Sequence, residues 1–126
     1  MVIKVNKYIL SIEKVPVVTL KTIMKEVMEK MTEFKIGCVV VLDSKKKLVG
    51  ILTDGDIRRI ILNSQKPLSA ILIDDIEEYL NKKPVTIKSD DEAKKAAQIL
   101  ENLGHYLPIL NNKKEFLGLF RGILLD

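Results

Sequence analysis

The stretch "GCVVVLDSKKKLVGIL", Gly37 to Leu52, decides the fold because the chain repeats it: "HYLPILNNKKEFLGLF", His105 to Phe120, follows at an offset of 68 residues. That register pairs Asp43 with Asn111, Leu48 with Phe116 and Gly50 with Gly118. Each copy is two short apolar runs around a polar stretch, Asp43 to Lys47 in the first, which is the pattern of a β-hairpin. Working outward, "KVPVVTL" (Lys14 to Leu20) is echoed by "KKPVTI" (Lys82 to Ile87). Between these markers both copies carry apolar residues at helical spacing: Met24, Val27, Met28, Met31 and Phe34, then Ala93, Ala96, Ala97, Leu100 and Leu103. The helical segments superimpose at offset 69, so one residue slips between helix and strand. Each copy therefore reads as strand, helix, two strands and a final helix.

Local signals sharpen this outline. Ser89 with Glu92 has the form of a capping box, the acidic run Asp90 to Glu92 suits the positive end of a helix, and Gly104 suits its exit. The methionines at helical spacing read as core filler. The connector "NSQKPLSAILIDDIEEYLNKK" carries Pro67, a cap at Asp74 and a short helix through Tyr79 and Leu80. No disordered linker separates the copies, so residues 8–66 and 67–126 are expected to pack on each other in one module.

Composition narrows the function. Apolar residues make up 47% of the 126 and charged residues 30%, an ordinary globular balance. Aromatics at 5% are too few for a base-stacking platform, and the net charge of +4 is spread along the chain except at Lys45-Lys46-Lys47, so a nucleic-acid partner is not expected. Cys38 is the only cysteine, which rules out an intrachain disulfide or a cysteine-based zinc site, and its place in an apolar run reads as a buried hydrophobe. The N-terminus lacks a signal-peptide core, and no run reaches the length of a membrane span. A cytoplasmic protein is expected.

The chemistry concentrates in "GILTDGDIRR", Gly50 to Arg59. Thr53 to Asp56 falls at a strand-to-helix turn, where backbone N–H groups and the helix dipole favour an anion. A threonine hydroxyl there can donate to a phosphate, and Asp56 can accept from two ribose hydroxyls. The same Thr-x-x-Asp spacing also makes a ligand-free capping box, so two readings stand. Gly55 in the first helical turn costs up to about 1 kcal/mol, which a close approach by another backbone or a ligand would explain. Two of the three arginines, Arg58 and Arg59, follow directly. In the second copy the matching positions are Arg121 and Leu124, so neither hydroxyl nor carboxylate is present.

These residues resemble a tandem pair of cystathionine-β-synthase (CBS) domains, the Bateman module, over about Ser11 to Leu125. "GILTDGD" carries the resemblance most specifically, with "HYLPIL" in the second copy, and "TDGDIRR" is most similar to pairs attached to sugar-nucleotide transferases and sugar-phosphate isomerases. The resemblance implies an α/β (α+β) fold of two β-α-β-β-α units packed sheet to sheet, with clefts for adenine nucleotides (AMP, ADP, ATP) or S-adenosylmethionine. It implies that Thr53 reaches the phosphate and Asp56 the ribose; Arg58, from the arginine usage, and Asp54 of the same turn are further candidate nucleotide contacts. Val18, Gly37 and Cys38 would border the base. It further implies homodimers formed through helices and a regulatory role toward an attached or partner enzyme, with the nucleotide as effector and no separate cofactor. The chain stops close after its second motif, and a regulatory piece of a larger protein is the expectation. A ligand-free dimerisation module is the alternative. Catalysis is not expected, and no catalytic or metal residue is assigned: Asp54 and Asp56 could hold a divalent ion, but Cys38 and His105 have no base or ligand partner in sequence.

Overall fold

The computed structural model describes residues 2–123. After a 3-10 turn at Val5–Tyr8 come strand β1 (Ile9–Ser11), β2 (Val17–Val18), helix α1 (Met24–Phe34), β3 (Cys38–Leu42), β4 (Leu48–Thr53) and α2 (Asp54–Asn63). A connecting helix α3 (Leu68–Ile73) leads to the second repeat: β5 (Ile87–Lys88), α4 (Ala93–Leu103), β6 (Leu107–Leu110) and β7 (Phe116–Phe120). Two sheets result, ordered β2-β3-β4 and β1-β7-β6-β5.

The strand sequences explain the layering. "CVVVL" in β3 is apolar on both faces: Val39 and Val41, with Leu52 of β4, pack under α1, whereas Cys38, Val40 and Ile51 face Phe116 and Leu119 of the other sheet. A strand covered on both faces has no solvent side to mark with polar residues. Behind the second sheet, Val5, Ile87, Ala96, Leu107, Ile109 and Phe120 close a further core against α4. The two units thus pack sheet to sheet with helices outside, the α/β arrangement expected. Met24 is fully buried and Met31 nearly so, consistent with their reading as core.

The repeat pairings acquire physical reasons. Asp43 Oδ1 accepts from the N–H groups of Lys45 (2.7 Å) and Lys47 (3.0 Å). Asn111 Oδ1 does the same for Lys113 (2.9 Å) and Glu115 (3.0 Å). Both side chains close their turns, and Lys46 and Lys114 take the left-handed conformation at φ 63° and 64°. The slip of one residue lies where Lys35 and Gly104, both left-handed, end the helices: Ile36-Gly37-Cys38 then leads to Val39, but only His105-Tyr106 leads to Leu107.

Gly50 and Gly118 share a different reason. β1 crosses over to pair with β7 of the other repeat, Leu10 opposite Leu119 and Ser11 opposite Gly118. Symmetrically, Asn81 bridges to Ile51 of β4. A Cβ at Gly118 would collide with the Leu10 carbonyl, and one at Gly50 would lie 2.5 Å from the Asn81 carbonyl. Each glycine admits the backbone that crosses over from the opposite half.

Several local expectations are corrected. Ser89 and Glu92 form no capping box: Glu92 is itself the residue before α4 and makes no side-chain cap, while the Ser89 N–H donates to Leu110. Asp91 instead closes that turn, accepting from the Lys88 N–H at 3.1 Å. Asp74 ends α3 rather than starting a helix, and only a 3-10 turn at Ile76–Glu78 follows, so Tyr79 and Leu80 lie past it. Its carboxylate is taken by the Tyr79 hydroxyl and by Lys66 Nζ at 3.0 Å, and Lys66 also reaches Glu78 at 2.9 Å. The Tyr79 hydroxyl and the Lys66 ammonium hold the Asp74 carboxyl below the usual range. Through this clasp the connector lies on the first repeat, where Ile71 and Ile76 join the core beside Met24 and Val27. Of the second repeat's expected final helix, Arg121 to Ile123 are irregular, and Leu124 lies outside the described residues.

Candidate functional site

Thr53 ends β4 and caps α2, and the capping box read from the sequence is present in full. The Asp56 N–H donates to Thr53 Oγ1 at 3.2 Å, and the Thr53 N–H donates to Asp56 Oδ2 at 3.0 Å. Arg59 holds the other carboxylate oxygen, Nη2 to Oδ1 at 2.9 Å. Partial burial pushes the Asp56 carboxyl up, but the Thr53 N–H and the Arg59 guanidinium outweigh it and hold the group below the ordinary carboxylate range. A ribose diol would compete with Arg59 for Oδ1 and with backbone for Oδ2.

Gly55 turns out to need no neighbouring backbone. The atoms nearest a Cβ there are those of the Arg59 guanidinium, at 3.2 and 3.3 Å, the mobile end of a long side chain. Gly55→Ala is expected to raise the unfolding free energy of the unliganded protein by about 0.5 kcal/mol through helix propensity and reduced unfolded-state entropy, measured by urea unfolding.

Gly37 precedes β3 and sits at the seam between the repeats. Its carbonyl accepts from the Asp54 N–H at 2.9 Å, and its own N–H donates to the Tyr106 hydroxyl at 3.3 Å. A Cβ at Gly37 would lie 2.6 Å from Asp54 Oδ2 and 3.7 Å from the Tyr106 oxygen, so glycine allows these groups to meet. Two cavities flank this point. One, of about 630 Å³, is walled by Gly37, Asp54 and Gly55 from the first repeat and by His105, Tyr106 and Arg121 from the second. The other, of about 620 Å³, is walled by Gly37, Asp54 and Arg58 together with Met28, Ile61 and Leu62 on the outer faces of α1 and α2.

The structure therefore brings Gly37, Asp54 and Arg58 to shared walls, with Thr53 and Asp56 locked together in the adjacent cap. Thr53 is only 4% exposed, and neither cavity is lined by it or by Asp56. Val18 and Cys38 are core residues, 5% and 0% exposed, so their side chains are unavailable and only backbone could border a ligand. Burial, reinforced by the charge of Asp54, pushes the Cys38 thiol up to about 12, which keeps it protonated and inert. Tyr106 and Arg121 are the wall residues that the sequence reading undervalued. Tyr106 stands one position past the expected match to Gly37 because of the slip, and Arg121 occupies the place of Thr53. His105 Nδ1 is satisfied 2.8 Å from the Tyr106 carbonyl. Among the described residues no cluster of three or more His, Cys, Asp or Glu could hold a metal, and no helix is long and apolar enough to cross a membrane.

Two β-α-β-β repeats packed sheet to sheet match the fold of known proteins. The profile of the CBS domain covers residues 8–63 and again 76–121. The chain belongs to the CBS-domain family. This CBS pair is similar to an uncharacterized 17.7 kDa protein of Acidianus ambivalens, 30% identical over 107 residues that cover 84% of this chain and 62% of that one. It is also similar to an uncharacterized protein of Chlamydia muridarum, 28% identical over 99 residues, or 79% and 29% of the two chains. The chain thus spans less than two thirds of the length of these curated relatives. Among solved structures it resembles CBSX2 of Arabidopsis thaliana in complex with AMP (21% identity, TM-score 0.80, 93% of this chain and 88% of that one). It also resembles the CBS domain pair of protein MJ0100 in complex with 5′-methylthioadenosine and S-adenosyl-L-methionine (17%, TM-score 0.78, 94% and 89%). CbpB in complex with c-di-AMP is a third (20%, TM-score 0.73, 94% and 79%). At these identities the likeness is one of fold.

Proposed function

We propose that this CBS pair is a regulatory module that binds an adenine nucleotide (AMP, ADP, ATP or a related adenosyl compound) beside the Thr53–Asp56 turn of the first repeat. The observation that carries the reading is the cavity of about 630 Å³ walled by both repeats, with Arg121 from one and the Asp54-Gly55 turn from the other. A ligand there touches both halves, so its occupancy biases how the two sheets pack. In the unliganded cap Thr53 and Asp56 hold each other and line neither cavity, so the ligand opens the cap: Thr53 and the first-turn N–H groups of α2 then meet the phosphate, Asp56 takes the ribose after releasing Arg59 and the Thr53 N–H, and the backbone at Val18, Gly37 and Cys38 borders the base. Arg58 and Arg121 supply positive charge. The AMP, c-di-AMP and adenosyl complexes of structurally similar proteins support the ligand class. The responding enzyme in this reading is an attached or partner catalytic domain of the sugar-nucleotide transferase kind, supported by the resemblance of "TDGDIRR" to CBS pairs attached to such enzymes.

Calorimetric titration with AMP, ADP, ATP, S-adenosylmethionine, CMP and GTP tests the assignment. Saturable heat with adenine compounds, absent with CMP and abolished in Asp56→Ala, is expected; no heat with any of them overturns it.

The α1 and α2 faces support a homodimer. Leu62 is 74% and Ile61 37% exposed on α2 beside Met28, an apolar surface without cover in the single chain. Leu62→Glu is expected to convert a dimer to monomer in sedimentation analysis without loss of folded signal. If the wild type dimerises while no nucleotide binds, the ligand-free dimerisation module takes the place of the sensor.

A further inference from the structure

Six lysines scattered in sequence converge on one cavity at the hairpin end of the module, away from the seam. Lys47 comes from the first hairpin, Lys114 from the second, Lys82 and Lys83 from the approach to β5, Lys88 from β5 itself and Lys95 from α4, around a volume of about 760 Å³. The hairpins are held in register: the Phe116 N–H donates to the Lys46 carbonyl at 3.0 Å, and Lys47 bridges to Glu115. Asp91 is the one carboxylate on the wall among the described residues, and it is engaged, accepting from the Lys88 N–H at 3.1 Å with Lys95 Nζ 3.6 Å away. Lys82 lies 3.7 Å from Glu77. Among the described residues Lys47, Lys83, Lys88 and Lys114 have no carboxylate within 4.0 Å. Six lysines against one aspartate leave five positive charges on this wall, more than the +4 of the entire chain.

Like charges crowded around a cavity repel one another and focus a field that a multivalent anion would neutralise. We propose that this cavity binds a compact anion carrying several phosphate groups. Its size is that of a small-molecule site. Among the described residues no wall side chain is aromatic, so none of them stacks on a base. The cations are all lysines, point charges without arginine's planar fork, which suits an anion recognised by charge density rather than by one oriented phosphate. The site is separate from the proposed nucleotide site, since Leu48 and Thr53 stand at opposite ends of β4, about 17 Å apart at the rise of a strand.

Titration of the full chain with inorganic tripolyphosphate tests the proposal. A dissociation constant below about 1 mM at low salt is expected, weakening as the salt is raised to about 0.2 M. Lys47→Glu/Lys114→Glu is expected to weaken binding by about tenfold or more, with Lys83→Glu/Lys88→Glu as a second pair in case the first disturbs the turns. Asp56→Ala should bind tripolyphosphate as the wild type does, and the lysine variants should keep any AMP binding, so this site and the nucleotide site fail separately. Absence of binding, equal binding by both folded lysine pairs, or loss in Asp56→Ala overturns the proposal. Tighter binding of a short DNA duplex with the same lysine dependence would also overturn it, in favour of a nucleic-acid surface.

Discussion

Gly118→Ala is expected to unfold roughly 10 °C below the wild type, a loss of about 3 kcal/mol for a domain of this size. The added methyl would meet three atoms of the crossing strand: the Leu10 carbonyl oxygen, Ile9 Cγ1 at 2.7 Å and Ile9 Cδ1 at 2.9 Å. Ile9 can turn away. The Leu10 carbonyl cannot, because β1 is held to β7 over three residues by backbone pairing. Relief therefore requires β1 to shift off β7, which weakens the packing of Leu10 against the core between the sheets. Overpacking of this kind costs about 1–3 kcal/mol where side chains absorb it, and the upper end applies because backbone is the obstacle. Differential scanning calorimetry reads the shift directly. A variant melting within about 2 °C of wild type would mean that β1 pairs loosely.

Asp56→Ala is expected to act twice. Without ligand it removes one half of the capping box: the Thr53 N–H loses its acceptor and the exposed Arg59 pair is lost, while Thr53 still caps the backbone N–H of residue 56, lowering stability by about 1–2 kcal/mol. With an adenine nucleotide at about a hundred times its dissociation constant, the wild type gains roughly 2.7 kcal/mol and the variant nothing, so the gap widens by that amount. The unliganded gap should depend on pH. Asp56 has a folded-state pKa below its unfolded value, so its contribution is present above the unfolded value and is lost as pH falls through the folded one. Urea midpoints of wild type and variant are therefore expected to converge below the ordinary carboxylate range and stay apart at neutral pH. A constant gap across that range would assign the loss to packing rather than to the carboxylate.

What could be read from the chain alone followed from periodicity and from duplication. The apolar stripe of α1, the hairpin around Asp43 and the left-handed exit at Gly104 are each local, and a local pattern carries its own cause. The misread pieces depended on distant partners. Ser89 and Glu92 have the spacing of a cap, but the turn was closed by Asp91 instead. Asp74 looked like a helix start because nothing nearby announced that Lys66 and Tyr79 would take its carboxylate. β1 was invisible for the same reason: three residues, Ile9–Ser11, become a strand only because β7 offers an edge more than a hundred positions away. At the site, Thr53 and Asp56 are legible as a pair, since the capping-box reading of their spacing predicts the contact that the structure shows. Tyr106 was not, because its contact with Gly37 joins repeats across a seam that no single-repeat pattern describes.

The crossing of β1 onto β7, and of Asn81 onto β4, separates two notions of a half. The first repeat starts with a strand that completes its sibling's sheet, and the second returns a one-residue bridge, so a gene cut cleanly between the repeats would release two fragments, one lacking its edge strand and the other lacking the Asn81 bridge. Such fragments are matched for reassociation in trans, and the protein is best regarded as a mutual exchange made permanent by covalent linkage.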